Sequence, residues 1–266
     1  MSEPTFPEAS VHERIRNNLE ELGMDRMAAN AAECLSLAAS GALTMPEALL
    51  RLTEGQVETN RERDLWRRVE KSNFPFLKTL ADFDFSFQPS IERSVVEDLA
   101  SLAFLERGDN VVMIGTPGVG KTHIAVAIGI EAVRARKLTY FIDCQSLLED
   151  LARADERGSL ERRLRYYAHS SLLIVDEIGY LAIDPKRASL FYQLVNRRYE
   201  KHSTIVTTNA PIRTWGDVFG DLTTANAIAD KLLHHCTLMK ISGRSWRTKD
   251  LYDEDDRVPS AKEVAR

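Results

Sequence analysis

A chain of 266 residues is long enough for one α/β core with a smaller accessory region. Its composition, 44% hydrophobic and 28% charged, is that of a globular protein, and because even its longest apolar stretches, such as residues 171–175, are short, no membrane-spanning segment is expected. The net charge of −5 means that any face binding nucleic acid must be local and offset by acid elsewhere.

Residues 1–10 are expected to form a disordered leader. From Val11 the apolar residues Val11, Ile15, Leu19 and Leu22 recur at helical spacing as far as Gly23, and a second helix is expected over 25–39. Thr44 precedes Glu47 by three, a capping-box pattern that opens a third helix through Leu49, Leu50 and Leu52 and on into the charged stretch 58–71. Residues 11–71 therefore read as a small all-helical N-terminal domain. Residues 72–94 gather Phe74, Pro75, Phe76, Phe83, Phe85, Phe87 and Pro89, a composition suited to an ordered connector packed on the next domain.

Residues 95–250 read as the main domain. Short apolar strands at 111–114, 139–142, 172–175, 204–207 and 237–241 alternate with helical stretches. That alternation implies right-handed crossovers and an α/β fold with a five-stranded, mostly parallel sheet covered on both faces. Residues 251–266 read as a polar tail.

The first strand runs into Gly115-Thr116-Pro117-Gly118-Val119-Gly120-Lys121-Thr122, which matches G-x-x-x-x-G-K-[ST]. Glycines let successive backbone N–H groups converge on a phosphate with no Cβ in the way. Lys121 brings a mobile positive charge to the β/γ oxygens, Thr122 a hydroxyl for Mg²⁺, and the helix that follows through His123 points its positive end at the same place. The cofactors expected are thus ATP and Mg²⁺.

The third strand ends in Asp176-Glu177, and the helix, strand and helical region between it and Gly115 place it beside the loop in a doubly wound sheet. Asp176 can hold Mg²⁺, and Glu177 is placed to polarise the attacking water as a general base. The fourth strand ends at Asn209, a residue that can orient that water or touch the γ-phosphate, although asparagine after a strand is ordinarily a turn residue.

The loop 115–122, the run Asp176-Glu177-Ile178-Gly179-Tyr180-Leu181, Thr207-Thr208-Asn209, and His234-His235 followed by Gly243-Arg244-Ser245-Trp246-Arg247 together resemble the IstB family over about residues 10–250. These are AAA+ ATPase helpers of insertion-sequence transposases, related to DnaC-type helicase loaders. The resemblance implies an AAA+ P-loop fold, a homo-oligomer formed with ATP on DNA, and a partner transposase that it stimulates or delivers. It also implies an arginine acting across the subunit interface in the helix around Asp230. Here that position is Lys231, which keeps the charge but loses the planar fork, so either Lys231 serves or another arginine such as Arg244 or Arg247 contributes.

For sequence-independent contacts to DNA the candidates are Arg162, Arg163 and Arg165, with Lys186 and Arg187 after the third strand; Arg61, Arg63, Arg67, Arg68 and Lys71 form a further basic stretch. His234 and His235 beside Cys236 do not read as a metal site, because adjacent residues on a helix do not face one ligand. The three scattered cysteines fit free thiols, and an N-terminus without a basic region before an apolar one carries no secretory signal, so a cytoplasmic protein is expected. Alternatives are a DnaC-like replicative helicase loader, a P-loop phosphotransferase acting on a small molecule, and a non-hydrolysing ATP switch.

Overall fold

The computed structural model describes residues 8–249, and the chain divides into two compact units, residues 1–67 and 68–266. The expected leader lies outside the described residues, except that Glu8 already begins the first helix. The polar tail lies outside them altogether.

The first unit is built on α1 (Glu8–Glu21), α2 (Asp25–Ala39) and α3 (Met45–Lys71). The capping box forms as the sequence implies: the Thr44 N–H donates to Glu47 Oε2 at 2.7 Å and the Glu47 N–H to Thr44 Oγ1 at 3.4 Å. Cys34, Ala48 and Leu52 are buried together with Met27 and Ala38 at their edge. Buried Gln56 accepts from the N–H groups of Arg26 and Met27 at 3.1 and 3.2 Å, satisfying donors in the first turn of α2 that have no carbonyl four residues earlier.

The second unit continues with α4 (Arg93–Ala100), α5 (Ala103–Arg107), β1 (Asn110–Gly115), α6 (Lys121–Arg134), β2 (Thr139–Asp143), α7 (Cys144–Glu156), α8 (Leu160–Ala168), β3 (Leu172–Ile178), α9 (Pro185–Arg198), β4 (Ser203–Thr208), α10 (Trp215–Phe219), α11 (Leu222–Leu233) and β5 (Cys236–Ile241). Each strand lies where the apolar runs put it, and every pairing in the sheet is parallel. Strand order is β2-β3-β4-β1-β5. β3 is expected beside the loop; its end does meet the loop, but the strand is not the neighbour of β1. From β1 the chain crosses to the far edge and then fills the gap strand by strand, so β4 lies between β3 and β1.

Side chains alternate across the sheet as a period of two requires. Val111, Met113, Ile174 and Ile205 join the core beneath α4, α5 and α6, while Val112, Leu173, Val175 and Val206 join the other beneath α7, α8, α9 and α11. Residues 72–85 cover the first of these faces with Phe74, Phe76, Leu80, Phe83 and Phe85. They also shield the edge strand β2: the Phe141 N–H donates to Ser72 O at 2.8 Å and Asn73 Nδ2 donates to Phe141 O at 3.0 Å.

Arg198, in the last turn of α9, is only 2% exposed. It donates to the carbonyls of Tyr167, Ala168 and Ser170 at 2.9, 3.2 and 2.8 Å, to the Ser203 carbonyl, and to Thr204 Oγ1 at 3.0 Å. Burial pulls its pKa down to about 9, so the guanidinium still carries its charge at neutral pH.

Candidate nucleotide site

The loop between β1 and α6 turns on two left-handed glycines, Gly118 at φ +80° and Gly120 at φ +99°. A Cβ on Gly120 would lie 2.5 Å from Phe83 Cε2, and one on Gly118 would lie 2.0 Å from Ser245 Oγ. The loop is therefore held between the aromatic connector and the segment after β5, too closely for any side chain at either position. Trp246 fastens that segment by donating its N–H to Gly118 O at 3.0 Å and setting its ring edge-on to Phe87 at 4.8 Å.

Lys121 Nζ donates to the carbonyls of Gly115 and Thr116, both at 2.8 Å. Burial lowers its pKa; the charges of Asp176 and Glu177 act against that shift, while Arg247 adds to it. Thr122 Oγ1 donates to both oxygens of Asp176, at 3.1 and 3.0 Å, so the loop and the end of β3 meet although β4 separates their strands. Burial raises the Asp176 pKa, opposed by hydrogen bonds from Thr207 and Thr122 and by the Lys121 charge.

Glu177 stands at a break in the ladder. The β3–β4 register shifts between Val175 and Ile178, and Glu177 takes φ +62°, an uncommon conformation for a residue with a side chain. Its N–H donates to Thr207 Oγ1 at 3.0 Å, and the same hydroxyl donates to Asp176 Oδ1. Thr207, fully buried, thus ties the two acids together. Thr207 stands in the run Thr207-Thr208-Asn209, but nothing in the run gives it a role of its own; four of the six residues of β4 are polar and all four are buried.

Lys121, Thr122, Glu177 and Thr207 border a cavity of about 310 Å³, and Asp176 is hydrogen-bonded to two of them. Pro117, Gly118, Val119, Gly120, Lys121, Thr122, His123, Glu177 and Asn209 line it, with Phe76, Phe83, Phe87 and Trp246 forming an aromatic side. His123 is tied to the connector, its Nε2 2.9 Å from Thr79 O and its ring edge-on to Phe83 at 5.1 Å. Asn209 is exposed on the rim, one residue past β4.

Other expected residues lie elsewhere. Lys231 Nζ sits 4.4 Å above the Tyr199 ring, outside this cavity. Arg247 lines the cavity of its own chain, a different place from the cross-interface role considered for it. Among the DNA candidates, Arg163 bonds Asp150 and the Tyr167 hydroxyl, Arg165 lies 3.7 Å from Glu161, Lys186 3.0 Å from Asp155, and Arg187 3.4 Å from Asp184. Arg162 is exposed and has no ion pair among the described residues. Burial pushes the Cys144 thiol up to about 12, aided by the Asp143 charge, which leaves it protonated and inert at neutral pH.

No helix among the described residues is long and apolar enough to cross a membrane. The family described as IstB-like ATP binding protein matches residues 17–253. A protein of insertion sequence IS232 from Bacillus thuringiensis subsp. berliner, named for ATP binding, is 43% identical over 92% of this chain and 98% of its own length. Its counterpart in insertion sequence IS21 from Pseudomonas aeruginosa is 42% identical over 87% of this chain and 88% of its own. Among solved structures, the DnaC helicase loader aligns at a TM-score of 0.50 with 24% identity, covering 64% of this chain and 97% of that one. AMPPCP-bound DnaA from Aquifex aeolicus aligns at 0.54 with 17% identity, over 72% of this chain and 59% of that one. The fold is that of AAA+ P-loop proteins, and the chain belongs to the IstB-like ATP-binding family of insertion sequences.

Proposed function

We propose that this chain hydrolyses ATP and, assembled with further copies of itself on DNA, stimulates or targets an insertion-sequence transposase in the cytoplasm. The observation that carries the hydrolytic part is the convergence of Lys121, Thr122 and Glu177 on one cavity, with Asp176 bonded to Thr122 and Glu177 fixed by Thr207. The glycine cradle and the paired oxygen donors fit a nucleotide phosphate and a hard cation. Thr122 Oγ1 and the Asp176 carboxylate would hold Mg²⁺, which neutralises charge on the phosphate oxygens.

The chain's own groups then divide the work. Backbone N–H groups of residues 117–121 grip the phosphates, and Lys121 leaves the loop carbonyls to meet the β and γ oxygens. Glu177 accepts a proton from water, Asn209 orients that water from the rim, and Arg247 faces the same cavity from the segment after β5. Lys231, held on Tyr199, is the candidate for completing a neighbour's site. The names of the relatives in IS232 and IS21 favour the transposition helper over a helicase loader.

The test is steady-state ATP turnover with and without DNA, alongside electron microscopy with ATP and with ADP. Glu177→Gln should cut turnover by about a hundredfold or more while ATP still binds. Wild-type protein should form rings or spirals on DNA with ATP only. Equal turnover in the variant, or monomers in both nucleotide states, would sink this reading.

A further inference from the structure

Where α11 ends, two adjacent histidines cease to be helix neighbours. His234 leaves the helix at φ −61° and ψ 126°, and His235 takes φ +46°, so the chain reverses and brings their ring centroids to 4.0 Å. The objection that consecutive helical residues point apart therefore does not apply to them. Glu200, just beyond α9 and itself left-handed at φ +57°, faces the same spot. Its Oε1 lies 3.7 Å from His234 Nδ1, and one donor atom from each of Glu200, His234 and His235 lies within 4.8 Å of the others.

We propose that Glu200, His234 and His235 bind one divalent cation of the zinc type, at the opposite end of the sheet from the nucleotide. Two imidazoles and a carboxylate suit a borderline ion; Mg²⁺ and Ca²⁺ take oxygen donors instead. Donors about 2 Å from a tetrahedral ion stand about 3.3 Å apart, so three exposed side chains need only close inward. Cys236 follows directly, but its sulfur is not among the donor atoms that cluster there. Solvent supplies the remaining position.

The experiment titrates tag-free, full-length protein with Zn²⁺ against a chromophoric chelator, in excess Mg²⁺ so that the nucleotide site does not contribute. One Zn²⁺ per chain should bind with micromolar or tighter affinity. Glu200→Gln, His234→Ala and His235→Asn should each weaken binding by about tenfold or more, while Cys236→Ser should not change it. Asparagine is chosen at 235 because it tolerates the left-handed backbone. All four variants should melt with the wild type in the absence of metal. The absence of a saturable one-to-one site, or unchanged affinity in the three ligand variants, or loss of binding in Cys236→Ser, would overturn the assignment.

Discussion

Thr207 uses one hydroxyl twice, accepting from the Glu177 N–H and donating to Asp176. The left-handed backbone at Glu177 costs about 1–2 kcal/mol, and its N–H, left unpaired, would cost about 1–3 kcal/mol more. Thr207→Val keeps the shape and removes the hydroxyl, so Glu177, the proposed general base, should lose its fixed aim. We expect kcat to fall about 10- to 100-fold with KM for ATP little changed, and Thr207→Ser to restore most of the rate. A parallel loss in ATP affinity would mean that Thr207 shapes the cavity as a whole. The contrast with Lys121 and Thr122 shows what one sequence reveals. Their spacing from Gly115 is enforced by a single local turn, so it is written in consecutive letters. Thr207 depends on how β3 and β4 slide past each other, which no short window encodes.

Strand positions and the start of α3 were legible because each has a local cause: apolar runs for the strands, the Thr44–Glu47 exchange for the helix. The order of the strands was not, since it depends on where each crossover returns. Nor was the buried guanidinium that joins α8, α9 and β4. Arg198 meets carbonyls from Tyr167, Ala168, Ser170 and Ser203 on different sides, which a planar fork can reach and a single ammonium cannot. Arg198→Lys should therefore destabilise the second unit by about 3 kcal/mol or more despite conserving charge. Urea unfolding measures this, and a loss under about 1 kcal/mol would mean that solvent replaces those bonds.

Across the whole molecule acid exceeds base, and four of the five core DNA candidates already face carboxylates. Arg163 belongs to a network with Asp150 and Tyr167, so reversing its charge would disturb packing and confuse a binding assay. Arg162 and the weakly paired Arg165 are three apart on α8, with exposed Tyr166 beside them, and they make a cleaner probe. Arg162→Glu with Arg165→Glu should weaken binding alike on unrelated DNA sequences and reduce the salt dependence by a slope of about 2. Unchanged affinity would take this patch out of any DNA interface.

The central strand β4 links the two ends of the sheet. It begins three residues after Glu200 and finishes one residue before Asn209, and its six residues span about 20 Å. It is hydrogen-bonded to β3 on one side and β1 on the other. A strand paired on both sides has little room to shift alone, so any coupling between its two ends would have to carry its neighbours along.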